Sequence, residues 1–376
     1  MDRITPELVD DLALGAGLLA AGGGAQPWPA GEPLRRALGE HGPVRLIDAA
    51  QLVDVAELDR NAFVLAVGAV GPSGAGTAAA FPDAAGLRRL VTAAERHGSR
   101  RCAAVVPLEI GGMSALAAPF AAAVLGLPCV DADGAGRGFS RLDLTLFALG
   151  GVAASPAFVA DGEGNLVTVE SADDRAAHRL VRAAASDLGG AAIVGGYPMT
   201  ARECARTAAA GSVRYCVGLG RMARTLRASG GGAAAQRLAS YGVRLLFTGQ
   251  VVHVARRDSA GSPRGTATVE TVSGPARTMR IDFQQGMLVL SEDGVVCATV
   301  PDLISVVDED AWAPAHTDRL APGQRVHVLA IQAHERWRLP DGIAAAGPRQ
   351  FGYDIDYQPL ELLRVALRCV GGSYDP

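Results

Sequence analysis

Residues 101–139 read RCAAVVPLEIGGMSALAAPFAAAVLGLPCVDADGAGRGF, and the fold class turns on this stretch. The apolar run 102–106 predicts a strand, the alanine-rich run 114–125 a helix, and 128–130 a second strand. Glycines and carboxylates fill the two connections, Glu109-Ile110-Gly111-Gly112 and 131–139. Strand, crossover helix and strand form one unit of a parallel sheet, and open sheets of this kind bind ligands beyond the carboxyl ends of their strands.

The same alternation continues on both sides. Upstream, strands are expected at 44–47 and 63–67, with helices at 33–40 and 83–97. Thr5 and Pro6 open a first helix, which the Gly22-Gly23-Gly24 run ends. Downstream, a hairpin is expected at 157–160 and 166–170, then helices at 172–188, 200–210 and about 213–228. From 243 to 331 the texture changes to short alternating runs between Gly, Pro and Asp turns, which predicts a sandwich or barrel-like unit. The expected fold class is α/β, with an N-terminal α/β domain over 1–170 and a C-terminal α+β domain over 171–376 whose β-rich part lies at about 243–331.

Composition removes several function classes. All 35 basic residues of the 376 are arginine, so a pyridoxal-phosphate anchor, a Schiff-base lysine and a phosphate-loop lysine are excluded. The net charge of -4, with no basic run longer than a pair such as Arg100-Arg101 or Arg256-Arg257, gives no reason to expect nucleic acid. The six cysteines, Cys102, Cys129, Cys204, Cys216, Cys297 and Cys369, are scattered without a C-x-x-C pair. They read as reduced thiols of a cytoplasmic protein. The start, MDRITPELVDDL, has no apolar leader core. The uncharged stretches 61–82 and 110–130 are long enough to span a bilayer, but Gly and Pro interrupt both, so no membrane association is expected.

Familiar motifs are weak or missing. Two G-x-G-x-x-A strings occur, Gly15-Ala16-Gly17 with Ala20 and Gly218-Leu219-Gly220 with Ala223. The first lies inside a predicted helix and neither is followed by an acidic residue on a second strand, so no NAD is expected. There is no G-x-S-x-G, H-E-x-x-H or paired-cysteine zinc signature. His253, His327 and His334 sit in β-like patterns as ordinary histidines. What remains is a set of loops at predicted strand ends: 71–77, 109–112 and 131–139. In the last, two carboxylates and a guanidinium fall within seven residues. Asp131 and Asp133 also suit plain turn chemistry, and Arg137 can simply pair with one of them.

The strings AAGGGAQPW, VGAVGPSGAGT, EIGGMSALAAPFAAAVLGLPCVDADGAGRGF, TGQVVHVARR, GTATVE, VVCATVPDLISVVD and GPRQFGYDIDY occur in this order. Together they resemble the S-methyl thiohydantoin desulfurase family, a former domain of unknown function found beside hydantoinase- and oxoprolinase-type proteins. The likeness runs from about Leu12 to Leu360. It implies an N-terminal α/β domain with a distinct C-terminal domain. Where that family usually reads E-x-G-G-G-N, this chain has Glu109-Ile110-Gly111-Gly112-Met113-Ser114; where it reads D-G-M-G-R-A-F-P-E, the final carboxylate has become Arg141.

The reading that follows is a hydrolase acting on a small five-membered cyclic amidine or imide such as an S-methyl thiohydantoin, releasing a thiol to leave a hydantoin. Water must attack the ring carbon that bears sulfur, which calls for a base and for donors to the developing charge. Glu109, Asp131 and Asp133 are candidates for base or metal ligand, the Asp131/Asp133 pair being able to offer oxygen to a divalent cation without identifying one. Arg137 and the amides of Gly111 and Gly112 are candidate donors. Gly22, Gly23, Gly24, Ser73, Thr77 and Ser114 are expected to line the substrate site. Arg349 is expected to join them from an extended segment 347–354 that places Phe351 and Tyr353 on one face. The alternative, suggested by Met113, Ser114 and Arg141, is a non-catalytic or weakly active partner subunit of a hydantoinase-like enzyme. A homo-oligomer is the other expected association.

Overall fold

The computed structural model describes residues 1–56, 62–71, 84–259 and 262–361. Its first sheet is built from β1 (Arg3–Ile4), β2 (Val44–Ile47), β3 (Ala62–Val70), β4 (Arg101–Pro107) and β5 (Cys129–Val130), with a two-residue strand β6 (Ala132–Asp133) beside it. The hairpin β7 (Ala157–Ala160) and β8 (Leu166–Val169) and the strand β9 (Ala192–Met199) complete it. The order is β1-β2-β5-β4-β3-β9-β7-β8. The strands β2, β5, β4 and β3 run parallel, while β9 pairs antiparallel with both β3 and β7. The expected parallel α/β core is therefore present, and its sheet draws strands from both sides of residue 170.

Helices cover both faces. α1 (Val9–Leu19), α2 (Trp28–His41), α4 (Ala84–Gly98), α5 (Ser114–Leu125) and α9 (Ser212–Ala228) lie on one, and α3 (Ala49–Ala56), α6 (Leu146–Leu149), α7 (Asp174–Asp187) and α8 (Ala201–Thr207) on the other. The period of two along β3 explains the division: Phe63, Leu65 and Val67 pack into the first layer, Val64 and Ala66 into the second. α5 is buried almost all round, its alanines letting it lie close to the sheet and to α2. This is why 110–130 carries no charge. Among the described residues no helix is long and apolar enough to cross a membrane. The helix expected at 200–210 stops at Thr207, and β10 (Ala209–Ala210) pairs with β6 instead.

After the short α10 (Ala234–Ala239) comes the second sheet. It comprises β11 (Val243–Ser259), β12 (Ser262–Glu270), β13 (Thr278–Phe283), β14 (Met287–Glu292), β15 (Val295–Thr299), β16 (Leu303–Asp308) and β17 (Arg325–Ile331). All are antiparallel, in the order β15-β14-β13-β12-β11-β17-β16. Register shifts at Leu245/Phe247, Val251/His253, Asp282/Phe283 and Leu290/Ser291 bend the strands. The result is one curled half-barrel rather than a sandwich, closed over Phe247, Val269, Ile281, Leu290, Ile304 and Val328.

The two sheets are joined through loops. Met287 N–H donates to Ala21 O (2.8 Å) and Thr317 N–H to Gly22 O (2.9 Å). A side chain at Gly23 would fall 1.8 Å from Gln285 O, so only glycine allows this approach. Trp337, ahead of α11 (Pro340–Ala346), donates to Ala135 O (2.7 Å) and packs edge-on against Phe139. The segment expected to be extended at 347–354 is a tight turn over Pro348–Phe351, because Pro348 and the left-handed Gly352 (φ 82°) bracket a 3-10 helix.

Candidate functional site

A cavity of about 370 Å³ opens where β3 and β4 end, roofed by the half-barrel. Its floor is Ala69, Val70, Leu108 and Glu109, and Met113 and Ser114 at the start of α5 close one side. Arg256 of β11 and Gln285 of the β13–β14 turn reach it from the other sheet. It is therefore a site shared by both halves of the chain.

Glu109 is the carboxyl on this floor, and the loop after β5 fixes its direction. Phe139 N–H and Ser140 N–H both donate to Oε2, at 2.7 and 3.0 Å. Ser114 Oγ stands 3.3 Å from Oε1 and also takes the N–H of Ala69 at 3.2 Å. Oε2 is thereby pinned by two backbone donors, and Oε1 faces the Ser114 hydroxyl. Burial raises the pKa of Glu109 against the pull of Ser140, Phe139 and Ser114 and the charge of Arg137. A carboxyl raised in this way holds a proton more readily than an ordinary glutamate, which suits it to take one and return it.

Of the residues expected at the site, Gly24, Glu109, Gly111 and Ser114 line this cavity. Gly22 and Gly23 lie behind it in the joint with the half-barrel. Gly112 donates its N–H to Ala16 O (3.0 Å), so that amide is not free to act as an oxyanion donor. The glycines here serve close packing: a side chain at Gly111 would meet Gly138 at 2.6 Å, and one at Gly112 would meet Ala25 O at 2.6 Å. Ser73 and Thr77 lie outside the described residues.

Asp131, Asp133, Arg137 and Arg349 are placed away from the cavity. Asp131 accepts from Arg214 N–H (2.9 Å) and from Arg214 Nη1 (2.5 Å), a guanidinium that also holds Asp48. Asp133 accepts the N–H groups of Ile110 (3.0 Å), Ala135 (2.8 Å) and Gly136 (2.8 Å) on Oδ2, and Gly136 also reaches Oδ1 at 3.0 Å. Burial pushes it up to about 7 even so. Both carboxylates face N–H donors, which suits turn-making and ill suits a cation; among the described residues no group of three or more His, Cys, Asp or Glu could hold a metal. Arg137 is buried with its guanidinium on the carbonyls of Pro301 and Asp302 and stacked over Phe139 at 4.2 Å. It bolts the two halves together and lines a second cavity, of about 280 Å³, adjoining the first. Arg349 is exposed and pairs with Asp354 (2.6 Å) and Asp356 (3.1 Å) within its own turn. Only Phe351 of that segment reaches the second cavity.

Sequence reasoning named Arg141 only as a departure from the family and Arg256 only in a basic pair, and it passed over His178 and Arg182; all four line the first cavity. Arg141 holds Asp143 through Nε (3.0 Å) and Nη2. Arg256 rests on the carbonyls of Thr317 (2.7 Å) and Leu320 (2.6 Å). His178 Nδ1 accepts the N–H of Leu142 at 3.4 Å, and burial pushes its pKa down to about 4, so it is neutral at physiological pH. The available signal was the four-residue spacing of His178 and Arg182 on one face of α7, which resembles any polar helix face.

Comparison with known proteins agrees with this layout. Family models described as "S-Me-THD-like, N-terminal domain" and "S-Me-THD-like, C-terminal domain" match residues 7–171 and 172–360. An X-ray crystal structure of a protein from Chromobacterium violaceum is similar at a TM-score of 0.79 and 21% identity, covering 96% of this chain and 100% of that one. That likeness is one of fold. No curated protein matches the chain.

Proposed function

Because the chain belongs to the S-Me-THD-like family in both its N-terminal and C-terminal parts, we propose that its desulfurase-like role is hydrolytic. The substrate class is a five-membered S-methyl thiohydantoin-type ring, and the reaction occurs in the cavity over Glu109. The observation that supports this reading is the carboxyl of Glu109 in the cavity lining, held on Oε2 by two backbone N–H groups and met on Oε1 by the Ser114 hydroxyl.

Glu109 takes a proton from water as the water oxygen bonds to the ring carbon that bears sulfur. The carbon–sulfur bond then breaks, and methanethiolate leaves with the proton that Glu109 returns. Of the two protons of water, one ends on the ring nitrogen and one on sulfur, giving a hydantoin and a thiol. The raised pKa of Glu109 suits both transfers, a contribution of about 100-fold or more. Leu108, Met113 and the close-packed glycine loops keep the floor apolar, which strengthens each charge interaction within it.

Thiol release from an alkyl-substituted S-methyl thiohydantoin by the purified chain tests the proposal. Wild type is expected to turn over, and Glu109→Gln to lose at least about 100-fold in kcat while melting within a few degrees of wild type. The Gln amide oxygen can still accept from Phe139 and Ser140, which keeps the loop in place. Full activity in Glu109→Gln rejects the assigned base. No release by wild type alone, with release restored by a hydantoinase-like partner, supports the partner-subunit reading instead.

A further inference from the structure

Two loops meet beneath the first cavity, and each lends a carboxylate to the other. Glu109, just after β4, accepts the N–H groups of Phe139 and Ser140. In return Asp133, at the end of β6, accepts on Oδ2 the N–H of Ile110 at 3.0 Å and those of Ala135 and Gly136 at 2.8 Å. Asp133 is fully buried and lines neither cavity. It therefore reaches the site only through backbone.

The sequence positions make this pair a clasp. Ile110 is the residue that follows Glu109, and Gly136 stands three residues before Phe139. One oxygen of Asp133 thus sets both the carboxyl and the donors that hold it. The chain between has little freedom: Gly134 N–H donates to Pro107 O (3.1 Å), Gly138 N–H donates to Leu19 O (2.8 Å), and a side chain at Gly134 would fall 2.4 Å from Leu108 O. Among the described residues, Ile110, Ala135 and Gly136 find no other acceptor for their N–H groups.

We propose that Asp133 is a positioning residue of this site, whose carboxyl oxygen holds the amide frame that aims Glu109 and never touches substrate. The kinetic consequence rests on the reading of Glu109 as the base; the structural one does not. Without the Asp133 side chain, three buried N–H groups lose their acceptor and the loop must move to satisfy them. A displacement of about 1 Å in Phe139 and Ser140 is enough to cost about 100-fold in a positioned proton transfer. An amide oxygen in place of Oδ2 still accepts all three N–H groups. Acceptance at this position is thus required, and negative charge is not, the reverse of what a general base or a metal ligand needs.

The test reads S-methyl thiohydantoin hydrolysis and amide hydrogen exchange in three variants. Asp133→Ala and the milder Asp133→Ser are expected to lose about 100-fold in kcat with little change in KM. Their Phe139 and Ser140 amides are expected to exchange at least about 10-fold faster relative to the Ile281 amide of β13, the equivalent of one lost hydrogen bond. Asp133→Asn is expected to stay within about 10-fold of wild type in kcat and to keep both amides protected. Asp133→Ser is read alone if Asp133→Ala does not fold. A lowered melting temperature with kcat and the two amides unchanged makes Asp133 a residue of the fold only and overturns the inference. So does a loss in Asp133→Asn as large as in Asp133→Ala or Asp133→Ser, which assigns Asp133 to the chemistry through its charge. If wild type releases no thiol, the hydrolytic reading fails and exchange decides this point alone. Faster exchange confined to Phe139 and Ser140 in Asp133→Ser, with protection kept in Asp133→Asn, upholds the inference; unchanged or uniformly faster exchange overturns it.

Discussion

His178 shows how one residue ties the site to pH. Burial, reinforced by the charges of Arg141, Arg182 and Arg179 and opposed by Asp143, lowers its pKa from 6.5 to about 4. The unfolded chain therefore takes up a proton between these values that the folded chain refuses. Stability on this account is full above pH 6.5 and falls as pH drops toward 4, by roughly 3 kcal/mol for a shift of this size. Urea unfolding of wild type and His178→Gln at pH 7 and pH 4 checks it: wild type should lose about 3 kcal/mol more, and parallel losses contradict the assignment. The position of Glu109 in the cavity lining was legible in the sequence because a carboxylate before paired glycines at a strand end is an unusual string. Asp131 and Asp133 carried an equally suggestive spacing, but whether a carboxylate meets a substrate or a set of N–H groups depends on Arg214 and Gly136, one of them 83 positions away from Asp131.

At the scale of elements, α1 and α9 explain the two glycine strings that resembled nucleotide motifs. The helices cross backbone to backbone. A side chain at Gly15 would fall 1.8 Å from Cys216 O, and one at Gly220 would fall 1.8 Å from Asp11 O. Asp11 is in turn held by Arg224 at 2.9 Å. Gly15→Ala and Gly220→Ala are each expected to destabilise by about 3 kcal/mol or more, since backbone rather than a flexible side chain must move. Gly39→Ala in α2, where nothing lies within 4 Å, is expected to stabilise by about 0.5–1 kcal/mol. Denaturant midpoints of the three variants give the comparison. Elements such as α5 and β4 were readable because apolar periodicity is local. The curl of the half-barrel was not, because it arises from bulges such as Leu245/Phe247 that only strand pairing reveals.

The whole molecule places its cavity between two sheets that neither half completes alone. Arg137 was expected to act on the substrate, yet its guanidinium lies on the carbonyls of Pro301 and Asp302, more than 160 positions away, and burial pushes it down to about 10. No local pattern announces a bolt of that reach. The same long-range joint brings Arg256 and Gln285 over the floor set by Glu109. The central claim is that the hydantoin ring sits between that floor and the half-barrel. A crystal structure of the protein with the product hydantoin tests it most directly. The expected result is ring density in the first cavity, with a ring nitrogen or oxygen within about 3.2 Å of Glu109 Oε1. Density for the ring elsewhere, as in the smaller pocket between Trp28 and Pro314, with the Glu109 cavity free of it, contradicts the account.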